Sequence, residues 1–207
     1  MARKTGSSGE KTAQAVRKAA INLIAQHGYA AVSMRQIARE VGVQAGALYL
    51  YTPDKQTLLF DIMSVHMEEL LAAAERAFLP GDAPLSDRLE AFVRFHISHH
   101  IGRQAEVFIS YMELRNLEPE NFNAVEALRR RYEDMLGKIL SDGARAGVFA
   151  TGDLRVSTMA MIAMLTGVST WFSETGRLTP AAIEDHYVEL AFRMVGAPPP
   201  ALSQAAE

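Results

Sequence analysis

Three of the six histidines crowd one short stretch: His96, His99 and His100. His96 and His100 stand at i, i+4, so on a helix both imidazoles share a face and could offer nitrogens to a zinc ion. Two ligands make an incomplete site, and no His-Glu-x-x-His pattern surrounds them, so neither a metal nor a cofactor is expected. Catalysis would need more partners. No Ser-His-Asp order, glycine-rich phosphate loop or carboxylate pair accompanies the cluster, and the chain is not read as an enzyme. Arg115, Arg129, Arg130 and Arg131 are cations able to hold phosphate groups. Glu126, Glu133 and Asp134 lie close in sequence, so surface pairs at helical spacing account for most of that charge.

The remaining chemistry is recognition. Ala45, Gly46 and Ala47 make a poor core helix but let a backbone come close to a nucleic-acid surface. They lie in SMRQIAREVGVQAGALYLYTPDK, residues 33–55. Ser33 and Gln36 form a capping box, with Val32 and Ile37 as its hydrophobic staple. Ile37, Ala38 and Val41 follow at helical spacing, and Gly42 ends the helix where positive φ is needed. Val43 plugs the turn. A second short helix is predicted over 44–51. Thr52 and Pro53 are read as the cap and first-turn pair of the next helix. Two helices crossing over a small turn make a helix-turn-helix, whose second helix can enter a DNA major groove.

Charge is distributed accordingly. The net charge is −3, but residues 1–60 carry eight Lys/Arg against three acids, and the remainder carries 13 against 21. A basic end and an acidic remainder suggest one part that faces nucleic acid and one that does something else. There is no cysteine, so disulfides and thiolate sites are excluded. No secretory segment is recognised at the start, and a cytoplasmic location is expected. The uncharged run 156–173 is broken by Ser, Thr and Gly and suits a helix buried in protein better than a membrane span.

Periodicity predicts an all-α chain: a three-helix head carrying the helix-turn-helix, and a six-helix body. Residues 1–10 are expected to form a disordered arm, with Arg3 and Lys4 near phosphates at most. Residues 11–52 are the expected DNA-binding domain, 53–196 the body, and 197–207 a disordered tail. The first helix is expected over 11–27, the fourth over 53–78, the fifth over 85–100 and a sixth segment over 103–116. A long seventh runs 119–146, and an eighth, apolar nearly all round, runs 153–174 and must be covered on both sides. Thr179 and Pro180 open the ninth.

At this point a family is recognisable. The string IAREVGVQAGALYLYTPDKQTLL, with its Gly42–Val43 turn, Leu48–Tyr49 pair, Tyr51 aromatic and Lys55, resembles the DNA-binding head of the TetR family of bacterial repressors over residues 12–60. Tyr51 stands where phenylalanine or histidine is more usual, and Thr52-Pro53-Asp54 departs before the lysine. The resemblance implies that Arg35, Gln44, Ala45, Gly46 and Ala47 read bases and that Tyr49 and Lys55 touch phosphates. Readout is expected to lean on Arg35, Gln44 and Tyr51. Arg and Gln suit guanine and adenine edges, and Ala suits a thymine methyl.

YMELRNL, RRRYEDMLGKILSDGARAGVF and WFSETGRLTPAAIEDHYVELAFRMVG are similar to the branch of that family controlling fatty-acid, phenylacetate and steroid degradation. Phe172 replaces the tyrosine common there. This implies a repressor released from a near-palindromic operator by a hydrophobic effector, an acyl-CoA thioester. The alternatives are an efflux repressor sensing lipophilic cations and, distantly, an all-α thioester-processing enzyme. An apolar pocket with few polar anchors would draw on Met63, Met67, Phe92, His96, Phe108, Met112, Arg115, Arg130, Met164, Trp171 and Phe172, with His66 and Met161 further candidates. Ten methionines suit an adaptable cavity, although each one alone is as well explained by packing. A homodimer is expected through Met159, Ile162, Ile183, Tyr187, Leu190 and Met194, forming a four-helix bundle. Duplex DNA, the effector and a second copy are the expected partners, and no membrane.

Overall fold

In the computed structural model, which describes residues 6–200, the described chain is built of α-helices and one 3₁₀ turn. They are α1 (Gly6–His27), α2 (Met34–Val41), α3 (Ala45–Leu48), α4 (Lys55–Ala77), α5 (Leu85–Ile101) and α6 (Gln104–Met112). The 3₁₀ turn Leu114–Asn116 follows, then α7 (Pro119–Arg145), α8 (Leu154–Thr166), α9 (Val168–Trp171) and α10 (Pro180–Met194). No helix among the described residues is long and apolar enough to cross a membrane. The chain forms two compact units. The first is the chain through Met67 together with Ala105–Glu126; the second is Glu68–Gln104 with the chain from Ala127. Segment 105–126, expected in the body, thus clusters with the helix-turn-helix.

The first unit is organised around α1. Val16, Ala20 and Ile24 form its buried stripe, and α2 packs against it while α3 packs on α2. Helix α1 starts at Gly6, so residues 6–10, expected in a disordered arm, are helical. Once a helix is nucleated, each added residue gains a hydrogen bond at little further cost. Arg3 and Lys4 lie outside the described residues, as do 201–207.

Two further expectations change. Thr52 does not cap α4. Its hydroxyl is buried and donates to the Asp54 carbonyl (3.1 Å), and Asp54 caps instead, its carboxylate accepting the Thr57 N–H at 2.7 Å. The predicted eighth helix is split at Gly167. The Ser169 and Thr170 hydroxyls take the Thr166 and Gly167 carbonyls, both at 2.8 Å. Side chains that bind carbonyls three residues back compete with the helical ladder, and α9 stops after four residues.

In the second unit α10 lies along α5, which also packs on α8 and α9. Leu89, Phe92, Val93 and Ile97 of α5 are fully buried. Arg94 joins α5 to α10 through Asp185 (2.7 Å) and Glu184 (3.7 Å). The end of α10 turns through Gly196, at φ +66°, and Ala197 packs beneath it, donating to the Phe192 carbonyl (3.0 Å). Ala197 is therefore ordered, although the tail was expected to begin there. The left-handed turn satisfies the last helical carbonyls.

Candidate nucleic-acid interface and effector body

The reading edge is built from local chemistry. Ser33 has extended backbone, its hydroxyl accepts the Gln36 N–H (3.3 Å), and the Gln36 side chain returns to the Ser33 N–H (2.7 Å), completing the capping box. Gly42 adopts φ +76°, and the Val43 N–H reaches back to the Ala38 carbonyl (3.0 Å), so α2 stops within one residue. Leu48, fully buried, pins α3 from below. The helix is shorter than expected, with turns carrying the chain on to Tyr51.

Arg35, Gln44 and Gly46 are exposed, Ala45, Ala47 and Tyr51 half-buried, and Tyr49 is 54% exposed. These lie on one short helix-turn-helix, with Arg35 in the first turn of α2 and the others in or flanking α3. Lys55, expected at a phosphate, also has partners within the head. Its ammonium donates to the Tyr29 carbonyl and sits 4.0 Å from the centroid of the Tyr29 ring. Burial there lowers its pKa, opposed by the nearby Glu113 carboxylate. Leu50, not singled out from sequence, is 83% exposed. The signal was helical phase: with Leu48 pointing inward, the side chain two positions on must point away.

In the second unit, His96 is buried with both ring nitrogens engaged, Nδ1 with the Tyr132 hydroxyl and Nε2 with the Thr166 hydroxyl, each at 3.1 Å. His100 stacks on it at 3.8 Å between centroids, and its Nδ1 contacts the His96 carbonyl at 2.8 Å. Burial drives the His96 pKa well below its ordinary value, and the other two histidines add to this. Burial and then Arg103 bring His99 down to about 4. His96 and His99 are thus held neutral at pH 7 by burial. Among the described residues no group of three or more His, Asp or Glu side chains is arranged to hold a metal ion.

The expected effector residues are divided between the two units. Met63 and Met67 are buried in the first unit, Phe92 and His96 in the second. Phe108 and Met112 are exposed on α6, as are Arg115 and Arg130 on their own segments, and Met164 is half-buried. His66 and Met161 are buried. Trp171 and Phe172 do come together. With Arg177, Leu178 and Ile183 they line a hollow of about 200 Å³. That is smaller than the roughly 300–1,000 Å³ of pockets for drug-sized ligands. Of the expected dimer residues, Ile162 and Ile183 are buried in their own protomer. Met159, Leu190 and Met194 are 41%, 45% and 37% exposed, and Tyr187 stacks beside Trp171.

Comparison with known proteins agrees with this geometry. A family described as "Bacterial regulatory proteins, tetR family" matches residues 16–62, and "Tetracyclin repressor-like, C-terminal domain" matches residues 82–195. A curated relative, the fatty acid metabolism regulator protein of Bacillus subtilis, is 24% identical over 83% of this chain and 89% of its own. A solved regulatory protein of the tetR family from Rhodococcus RHA1 is 34% identical, covers 91% of this chain and 98% of its own, and superposes with a TM-score of 0.85. AibR, solved in complex with isovaleryl coenzyme A and operator DNA, is 28% identical over 87% of this chain and 98% of its own, with a TM-score of 0.80.

Proposed function

The chain belongs to the TetR family of bacterial regulatory proteins, and on that footing we propose that it is a homodimeric repressor released from its operator by an acyl-CoA thioester. DNA reading is supported by one arrangement above all. A sharply terminated α2 presents a short α3 whose outer surface is small or polar and whose inner side chain is buried. A backbone so unencumbered can approach base edges, and Arg35 and Gln44 supply the donors that discriminate among them. Two copies, paired through α8 and α10, would set their reading helices in successive major grooves, roughly 34–36 Å apart or a multiple.

The effector class is supported by the likeness to AibR, solved with isovaleryl coenzyme A, and to the fatty acid metabolism regulator. Within the second unit, the hydroxyl–imidazole set of Tyr132, His96 and Thr166 lies among apolar walls that include Phe92. Such a setting suits the few oriented polar groups by which apolar sites fix a ligand. An effector bound there lowers DNA affinity by its coupling free energy, typically 5–150-fold.

The test is operator binding by fluorescence anisotropy at fixed salt. The DNA is a genomic fragment selected by the protein itself, titrated with acyl-CoA thioesters from four to sixteen carbons. Release by one chain-length range, with free coenzyme A inert, is the expected result. Release by a lipophilic cationic dye with every thioester inert would replace this reading with an efflux regulator.

A further inference from the structure

Met135, Lys138, Ile139 and Asp142 stand at i, i+3, i+4 and i+7, so they share one face of α7. Phe78 and Leu79, just past the end of α4, and Arg88, in the first turn of α5, close over that face. Together with Met135, Lys138 and Ile139 they line a hollow of about 160 Å³, wholly within the second unit. Its walls are apolar. Ile139 is buried and Met135 half-buried, and the Phe78 ring is fixed against Phe92 and Phe95 at 5.2 and 5.4 Å between centroids. Its charged groups are both cations, Arg88 and Lys138. None of the residues expected to hold the effector lines it.

Arg88 is buried beyond what its partners explain. It is only 9% exposed, yet of its nitrogens Nη1 alone is engaged, with the Gly81 carbonyl and Asp142 Oδ2, both at 3.4 Å. Charge-assisted bonds of this kind are ordinarily about 2.7–2.9 Å long. Among the described residues Nε and Nη2 are bonded to nothing, although a guanidinium carries five N–H donors in a fixed fork. Burying a charge with donors unused is unfavourable unless something completes them. Asp142 does not, because it is shared. Lys138 reaches the same Oδ2 at 3.3 Å, and Arg145 takes Oδ1. Among the described residues no other carboxylate pairs with any of the three cations. One negative charge thus answers three positive ones beside an apolar hollow.

We infer that this hollow is a binding site for a small organic carboxylate. The planar carboxylate matches the unused fork of Arg88, with Lys138 as a second, more open cation. Phe78, Leu79, Met135 and Ile139 take an apolar body of a few carbons, and Met135 can adjust to its shape. Each other class of occupant fails one part of the site. An inorganic anion leaves the apolar walls unfilled, a neutral molecule leaves the Arg88 donors without a charge partner, and a cation is repelled. The hollow is below the roughly 300–1,000 Å³ of sites for drug-sized ligands, so the carboxylate is a small one. The site goes beyond the repressor reading and needs no DNA to test it.

The test is calorimetric titration of the full-length chain at near-neutral pH with hexanoate, hexanol, hexylamine and inorganic phosphate. The methyl resonance of Met135, assigned by its loss in Met135→Leu, is followed in parallel. Hexanoate is expected to bind and to shift that resonance, with the other three inert. Arg88→Met should weaken hexanoate binding roughly tenfold or more, the worth of hydrogen bonds to a charged group. Lys138→Gln, at a side chain 69% exposed, should fold as the parent does and weaken binding about two- to fivefold. Arg155→Gln removes an exposed cation of the same unit and should leave the affinity unchanged. Should Arg88→Met fail to fold, Lys138→Gln and the Met135 resonance decide the matter. Hexanoate without effect on Met135, a folded Arg88→Met protein of parental affinity, or equal affinities in Lys138→Gln and Arg155→Gln would overturn the site. Hexanol or phosphate binding as tightly as hexanoate would overturn the carboxylate class.

Discussion

The Lys55 ammonium rests 4.0 Å above the Tyr29 ring and donates to the Tyr29 carbonyl. A lysine engaged this way supports the head from within. Removing a phosphate contact lowers the salt slope of DNA binding by nearly one unit, whereas removing an internal strut leaves it in place. Lys55→Met is therefore expected to destabilise the fold by roughly 1–2 kcal/mol of lost cation–π and charged hydrogen bonding, seen as a lower melting temperature, with no change in the salt slope. A slope smaller by one unit would return Lys55 to the phosphates.

Arg35 and Gln44 make the opposite case, being exposed polar side chains at the two edges of the reading motif. Arg35→Ala and Gln44→Ala should leave folding unchanged. Each should weaken operator binding by about 1–3 kcal/mol while leaving random duplex nearly unaffected. Each should also relax preference at one base position per half-site. Selection of bound sequences from a randomised operator reads this directly, and equal losses on all sequences would mean that they only position the backbone.

Gly143 of α7 leaves no room for a side chain. A Cβ built there would overlap the Phe149 ring, which is buried where the chain leaves α7. Gly143→Ala should cost about 1–3 kcal/mol, the range for overpacking a filled core. Phe149→Leu, destabilising alone, should recover part of that loss in the double variant, because the two share one volume. Denaturant melts of the four proteins measure the coupling, and strict additivity would refute it.

The elements read correctly from sequence are those whose causes are local. Ser33 with Gln36, Thr179 with Pro180, and Gly42 all act through neighbours within a few residues. The α4 stripe of Leu58, Leu59, Ile62, Met63, His66, Leu70 and Ala74 is buried throughout, as its period requires. What was not legible depends on distant partners. Lys55 finds Tyr29 across 26 positions, and Glu113 finds it across 84, pairings that no periodicity announces. The break at Gly167 was hidden by an apolar run that continues through it. Ile162 and Ile183, expected at a dimer face, are buried within their own protomer, because a helix phase alone does not say which neighbour, its own protomer or a second, covers a face.

The buried histidines make a pH prediction. His96 and His99 have pKa values lowered by folding, His99 to about 4. As pH falls below about 6.5 the unfolded chain takes up protons that the folded chain refuses, so stability declines with acidification until the folded pKa is reached. With solvent screening allowed for, His99 alone should account for on the order of 1–2 kcal/mol between pH 6.5 and 4. The carboxylates with lowered pKa, Asp54 and Asp142, lose their contribution only at still lower pH. Melts at pH 7.5, 6 and 5 should show the decline, and His99→Gln should flatten it. A curve level through this range would mean that His96 and His99 protonate freely in the folded state.

Val156, Met159, Ala160 and Ala163 are all exposed along α8, spaced at i, i+3, i+4 and i+7, and Leu190 and Met194 do the same on α10. Val156 is 66% exposed. A helix face of this composition gains nothing from water, and the two alanines allow a second helix to approach within the 8–10 Å of close packing. Self-pairing of the two faces would complete a four-helix bundle, with Met159 and Leu190 near its centre. Leu190→Asp places a carboxylate in that seam twice, once from each copy, and burial of unpaired charge is strongly unfavourable. Its sedimentation should shift from dimer to monomer at micromolar concentration, while the helical circular dichroism and the His96 network persist. Operator affinity should fall by two orders of magnitude or more, because a single head keeps only half of the contacts. A Leu190→Asp protein that still sediments as a dimer would place the pairing face elsewhere, and the stripe on α8 would then need a different cover.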